Sequence, residues 1–199
     1  RDAAEVKSAL DTWVKNLDPA DPRFRHHQLE ALWTYRGMEL VNGDLLVELL
    51  NCEVPQARAA ATKQLRYWYD QIENGVELLQ ARANDENGVV RLEAAIAASY
   101  FGTEEALTAM LDSLKHPHYD HLSYAIRCSL CSAPLQRHWE GNEPLNAAHP
   151  ELKEFLASYE KAVKTKPSTR SAKEAQFDKQ RGIKKIEISV AYGVGTALI

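Results

Sequence analysis

Two clusters in this 199-residue chain carry side chains able to do chemistry. Cys128-Ser129-Leu130-Cys131 sets two thiols three residues apart. That spacing serves covalent haem attachment, thioredoxin-like redox pairs and half of a four-cysteine zinc site. A haem site needs His at the next position, and position 132 is Ser. The zinc reading lacks a second pair, because the one other thiol is Cys52. A redox pair is expected after a strand at a helix start, whereas this one lies inside a helical pattern. What remains is a pair of structural thiols, buried or half-buried on one helix, with a disulfide, a metal or catalysis as alternatives. The second cluster is His116-x-His118-x-x-His121, beside Tyr119 and Asp120. Three imidazoles in a turn can converge on zinc or copper, with Asp120 as ligand or orienter. The same residues, with Pro117, describe a solvent-facing turn equally well. His26 and His27 are adjacent and cannot face one point together.

No Gly-rich phosphate loop, Gly-x-Ser-x-Gly elbow or His-Glu-x-x-His motif is present, and the carboxylates are scattered rather than paired. No catalytic residue is therefore named. Between residues 161 and 185 nine Lys and Arg stand against two acids, leaving 15 basic and 26 acidic residues in the rest of the chain. Such an acidic body repels phosphates, which argues against a nucleic-acid groove.

The elements that must position these residues are set by a repeat. Arg25, Arg58 and Arg91 stand 33 residues apart in Asp21-Pro22-Arg23-Phe24-Arg25, Pro55-Gln56-Ala57-Arg58 and Gly88-Val89-Val90-Arg91. A period of this length marks a stacked array of supersecondary units. Val90, Ala94, Ala98 and Phe101 fall at i, i+4, i+8 and i+11, as do Ala57, Ala61, Leu65 and Trp68. One stripe of each helix is thus apolar. Asp21-Pro22, Glu53-Val54-Pro55 and the segment 84–88 punctuate the chain before each second helix, and Thr103 with Glu104 and Glu105 reads as a capped helix start. Each unit is predicted as helix, turn, helix, with a divergent fourth unit running from Thr103 to Leu130. The matched arginines are expected to meet a turn acid of the same or the adjacent unit, Asp21, Glu53, Asp85 or Glu86, forming a ladder. Trp33, Trp68, Trp139, Tyr35, Tyr67, Tyr69 and Tyr100 recur near second-helix ends. The expectation is that these rings close the core between repeats, the alternative being a platform for sugar or electron hopping.

These features resemble HEAT repeats. The stretches His26-His27-Gln28-Leu29-Glu30-Ala31-Leu32-Trp33, Ala57-Arg58-Ala59-Ala60-Ala61-Thr62 and Val90-Arg91-Leu92-Glu93-Ala94 are similar to the HEAT segment of large secreted bacterial multidomain proteins. There the array follows a sugar-dehydrogenase-like propeller and accompanies a c-type cytochrome or cupredoxin domain. The resemblance covers roughly residues 1–140. It implies an all-α, HEAT-like α-solenoid of four to five helical hairpins acting as an extracytoplasmic, non-catalytic scaffold. The partners it implies are other domains of the same polypeptide or subunits of a redox complex. It places haem c or copper in adjoining domains, with no cofactor in this segment, and a dehydrogenase is one reading it offers for the parent protein.

The expected organisation is a helical repeat domain over 1–163, a basic linker over 164–184 and a β segment over 185–199. Leu152, Phe155, Leu156 and Tyr159 line one side of a last amphipathic helix. Ile186, Ile188, Val190 and Tyr192 alternate with Glu187, Ser189 and Ala191, a period-two strand signal. By resemblance, this is the first strand of a cupredoxin-like domain.

Overall fold

A computed structural model of the chain describes residues 3–165. Among these, α1 (Ala3–Lys15) and α2 (Phe24–Gly37), α3 (Gly43–Leu50) and α4 (Pro55–Trp68), and α5 (Gly75–Ala83) and α6 (Gly88–Phe101) form three successive hairpins, and α7 (Glu104–Leu111) and α8 (Asp120–Leu130) follow as a fourth, divergent pair that packs mainly on α5 and α6. A 3-10 turn, Asp112–Lys115, extends α7. Two short helices come next, α9 (Ala133–Trp139) and α10 (Glu143–Ala148), and then α11 (Pro150–Thr165). Chain contacts divide at Phe155: one unit ends there and the second begins at Leu156, with α11 crossing the division. The described residues contain no strand, and the strand expected over 185–199 and the linker over 164–184 lie almost wholly outside them. No helix among the described residues is long and apolar enough to cross a membrane.

Side chains cap four of the described helices. Asn42, Asn87, Thr103 and Asn142 each accept a backbone N–H of the first turn, at Leu45, Val89, Ala106 and Leu145 respectively. These caps satisfy donors that no intrahelical carbonyl can reach. Pro55 opens α4, where its missing N–H costs nothing. Gly102 ends α6 in the left-handed conformation, φ 63°, and a Cβ there would lie 2.9 Å from Pro134 Cβ. Any side chain at that position meets both backbone strain and the start of α9.

Packing follows the apolar stripes. The second helices α2, α4, α6 and α8 lie side by side in chain order, and α5 packs against α7. Ala57, Ala61, Leu65 and Trp68 of α4 and Val90, Ala94 and Ala98 of α6 are all buried. The alanines among them let α4 and α6 approach closely, so the apolar stripes of adjacent hairpins merge into one core. Phe101, the last member of the α6 stripe, is half-buried, its ring 5.5 Å from that of Tyr69 and against Gly75.

Tyr35 and Gln64 are two of the polar side chains buried in this core. Tyr35 is 2% exposed and donates its hydroxyl to Asp11 Oδ1 at 2.5 Å, tying α2 to α1. Burial, reinforced by the Asp11 carboxylate, pushes the phenol up to about 12. The neutral form is thus favoured in the folded chain, and this stabilisation is complete below the ordinary phenol value of 10.0 and lost as pH rises through about 12. Alkaline titration followed by circular dichroism should show a loss of stability in that window that Tyr35→Phe does not share. Gln64 is 1% exposed, and neither its amide nitrogen nor its oxygen has a hydrogen-bond partner among the described residues. An unsatisfied buried amide costs about 1–3 kcal/mol. Gln64→Met keeps the volume and removes that cost, so urea denaturation should give a more stable variant by roughly that amount.

Candidate functional site

The arginines of the repeat occupy equivalent places near the start of α2, α4 and α6, and each reaches forward to the turn of the next hairpin. Arg58 is the most completely bound. Its Nε and Nη2 each donate to one oxygen of Asp85 at 2.9 Å, a bidentate pair across the α5–α6 turn. Its Nη1 donates back to the carbonyls of Cys52 (3.0 Å) and Glu53 (3.3 Å) in its own turn. Asp85 Oδ1 also accepts the Asn87 N–H at 2.9 Å, so one carboxylate joins the arginine to the entry of α6. The Arg58 and Asp85 side chains are 9% and 5% exposed. Burial alone would raise the Asp85 carboxyl, but the Arg58 guanidinium and the Asn87 N–H outweigh it and hold the group below the usual carboxylate range. Arg82 adds a second cation 3.5 Å from Asp85 and donates to the Leu50 carbonyl, while its own burial pushes its guanidinium down.

The other two rungs vary this pattern. Arg25 grips Glu53 with Nε and Nη2 at 3.3 and 3.0 Å and shares Glu48 with Gln28, on a more exposed surface. Arg91 reaches the carbonyls of Asp85 (2.6 Å), Glu86 (2.9 Å) and Pro117 (2.6 Å). Pro117 stands where the preceding turn has Asp85, so this rung is made of carbonyl oxygens. The carboxylates that reach Arg25 and Arg58 across the stack come from the next unit along the chain. Asp21 departs from the expectation: it caps its own turn through the Arg23 N–H at 2.7 Å.

The histidine cluster is spread over separate partners. His116 Nε2 lies 3.1 Å from Asn84 Oδ1, the His118 ring packs edge-on against Phe155, and His121 packs edge-on against Tyr119. Tyr119 itself covers Gly88, where a Cβ would come within 2.6 Å of its ring. Among the described residues no three His, Cys, Asp or Glu side chains are grouped so as to hold one metal ion.

The cysteines correct the sequence reading. Cys128 and Cys131 are free and exposed rather than buried, and Cys52 is the buried thiol. Helical phase explains this. Leu122, Ala125, Ile126, Ser129 and Leu130 take the core side of α8, which leaves His121, Tyr124, Cys128 and the capping Cys131 facing outward.

The aromatic residues correct it as well. Tyr35 and Trp68 are buried and Trp139 is half-buried, donating its indole N–H to Leu130 O at 2.9 Å. Trp33, Tyr67, Tyr69 and Tyr100 are exposed. Tyr67 precedes the buried Trp68, and one residue turns a helical side chain by about 100°. On α6 the outward stripe is Val89, Leu92, Ile96 and Tyr100, with both ends about half exposed. Arginines from the preceding helix cross to these rings: Arg36 lies 4.6 Å over Tyr67, and Arg66 lies 5.9 Å over Tyr100 while also pairing with Glu93. The outer face of the second-helix layer is therefore a row of tyrosines and aliphatic side chains laced with guanidinium groups. The 33-residue spacing of Tyr67 and Tyr100 signalled this row, but the chain alone did not say which way the rings point.

The ladder allows a graded prediction. Removing one partner of a buried ion pair typically costs about 3–5 kcal/mol, whereas an exposed pair contributes about 0–1 kcal/mol. Urea denaturation should place Arg58→Met several kcal/mol below the native chain and Arg25→Met within about 1 kcal/mol of it.

Residues 43–131 match the family model of HEAT repeats, a span from α3 to the end of α8. No curated protein matches the chain, and no solved structure does.

Proposed function

With residues 43–131 a HEAT-repeat segment, we propose that this chain is a non-catalytic scaffold whose outer second-helix face binds protein. Its setting is an extracytoplasmic multidomain protein with redox domains. The observation that carries the protein-contact reading is the exposed row of Val89, Tyr100, Tyr67 and Tyr124, each about half exposed or more, with Arg36 and Arg66 set against the rings. Tyrosine and arginine are the residues that supply most energy in protein contacts, since each joins apolar area to a polar tip at modest entropic cost. HEAT repeats generally mediate such contacts. The acidic body, net −11 outside residues 161–185, disfavours nucleic acid as the occupant.

The redox setting and the extracytoplasmic address rest on the resemblance of the three helix-start stretches to the HEAT segment of large secreted proteins. In that setting haem c or copper belongs to neighbouring domains, and this segment holds those domains at fixed spacing. The HEAT helices would act as a rigid spacer, because each hairpin is tied to the next by its arginine.

Two measurements test the reading. A photo-crosslinking amino acid placed at Tyr67 or Tyr100 in the full-length parent protein should capture another domain or a partner subunit, whereas the same probe at Glu104, on the first-helix side, should not. Equal capture at all three positions, or none, would sink the contact face. An absorption spectrum and metal analysis of the purified chain should show neither a Soret band nor stoichiometric copper or zinc. A stoichiometric metal lost in His121→Ala would replace the scaffold with a metal centre at His116, His118 and His121.

A further inference from the structure

The outward stripe of α8 differs in kind from that of α6. The two helices start 32 residues apart, so Cys128 stands where α6 has Ile96 and Cys131 where it has Ser99. The exposed face of the layer thus ends in two free, accessible thiols. Cys52 makes the contrast: it is 4% exposed, with its thiol 3.5 Å from the Val54 carbonyl.

Two thiols at i and i+3 sit on one side of a helix, with Cβ atoms about 5–6 Å apart. A disulfide wants about 3.5–4.5 Å between them. The backbone can supply the difference at Cys131. This residue caps the helix at φ −84°, ψ 0°, and Ser132 after it is already extended at φ −70°, ψ 138°. Cys131 is held to α8 by its own N–H on Arg127 O at 3.0 Å. The α9 segment beyond it has an anchor outside α8: Arg137 Nη2 donates to Gly102 O, at the end of α6, at 2.9 Å. Closing the pair therefore requires the last half-turn of α8, with the Trp139 bond to Leu130 O, to adjust, while α9 stays held at Gly102.

The geometry points to Cys128 and Cys131 as a thiol–disulfide exchange site whose substrate is an exposed disulfide, borne by a small molecule or by a protein. The Cys128 thiolate attacks one sulfur of the incoming disulfide, whose S–S bond breaks, and the released sulfur leaves as a thiolate and takes up a proton. Cys131, on the more adjustable backbone, then attacks Cys128 Sγ in the mixed disulfide and expels the second substrate sulfur as a thiol. The protein loses two electrons and two protons to form the Cys128–Cys131 bond, and the substrate disulfide gains both as two thiols. This inference rests on the placement of the thiols and is independent of the scaffold reading.

The full chain would be incubated with glutathione disulfide and, separately, with insulin as a carrier of protein disulfides, then analysed by intact mass and peptide mapping. The native chain should become lighter by about 2 Da, with the bond mapped to Cys128–Cys131. Cys131→Ser should stop at a mixed disulfide on Cys128, and Cys52→Ser should behave as the native chain. Closure with glutathione disulfide alone identifies a small-molecule substrate, and closure with both probes extends the site to protein disulfides. Accumulation of separate glutathione adducts on Cys128 and Cys131 without ring closure would overturn the proposal. So would bonds formed between two chains, or no reaction at all with the fold intact by circular dichroism.

Discussion

A guanidinium that spans two turns is the constraint on which the array depends. Helical hairpins stacked only by apolar stripes could slide or rotate against each other, because burial is not directional. Arg58 removes that freedom. One edge of its guanidinium holds the turn of its own hairpin through two carbonyls, and the other edge holds Asp85 in the next. Since Asp85 also receives the Asn87 N–H, the entry of α6 is fixed relative to α4 before any side chain of the α4–α6 contact is counted. The alanines then fit because the register is already correct, and the close approach of the two helices keeps water from the pair.

The three rungs show how much variation such a device tolerates. The central rung is buried and charged on both sides, the first is partly exposed and uses Glu53 and Glu48, and the third closes on the Pro117 carbonyl. A carbonyl can take the place of a carboxylate at the Nη atoms because the geometric demand there is for acceptors, but without a bidentate carboxylate the buried Arg91 Nε is left without a hydrogen-bond partner among the described residues. Burial separates the first rung from the other two: Arg58 and Arg91 are both buried, whereas Arg25 is partly exposed.

With one side of each second helix committed to the core, the opposite side is left exposed. That side is unusually rich in rings for a solvated surface, and its arginines are laid against tyrosines across neighbouring helices. Stacking of this kind stiffens long side chains in advance, which would lower the entropy lost at the proposed contact face. The two exposed thiols extend the same face along α8, so the proposed contact face and the proposed exchange site share one surface.

The repeat, the helical hairpins, the capped helix starts and the arginine register could all be read in the chain, because each rests on local spacing: 33 residues between arginines, i+4 steps between alanines, and Asn or Thr at helix entries. The HEAT resemblance came from the same residues. What the spacing could not supply was direction across the stack. Nothing local says that Asp85 serves the arginine of the previous hairpin, that Asp21 serves its own turn, or that Pro117 replaces an acid. Nor does it say that Tyr67 and Tyr100 face outward while Trp68 is buried, or that Cys128 and Cys131 lie in water. Those outcomes are decided by which neighbouring helix claims each face. A helix with apolar residues on two sides can bury either one, and only packing against the next hairpin makes the choice.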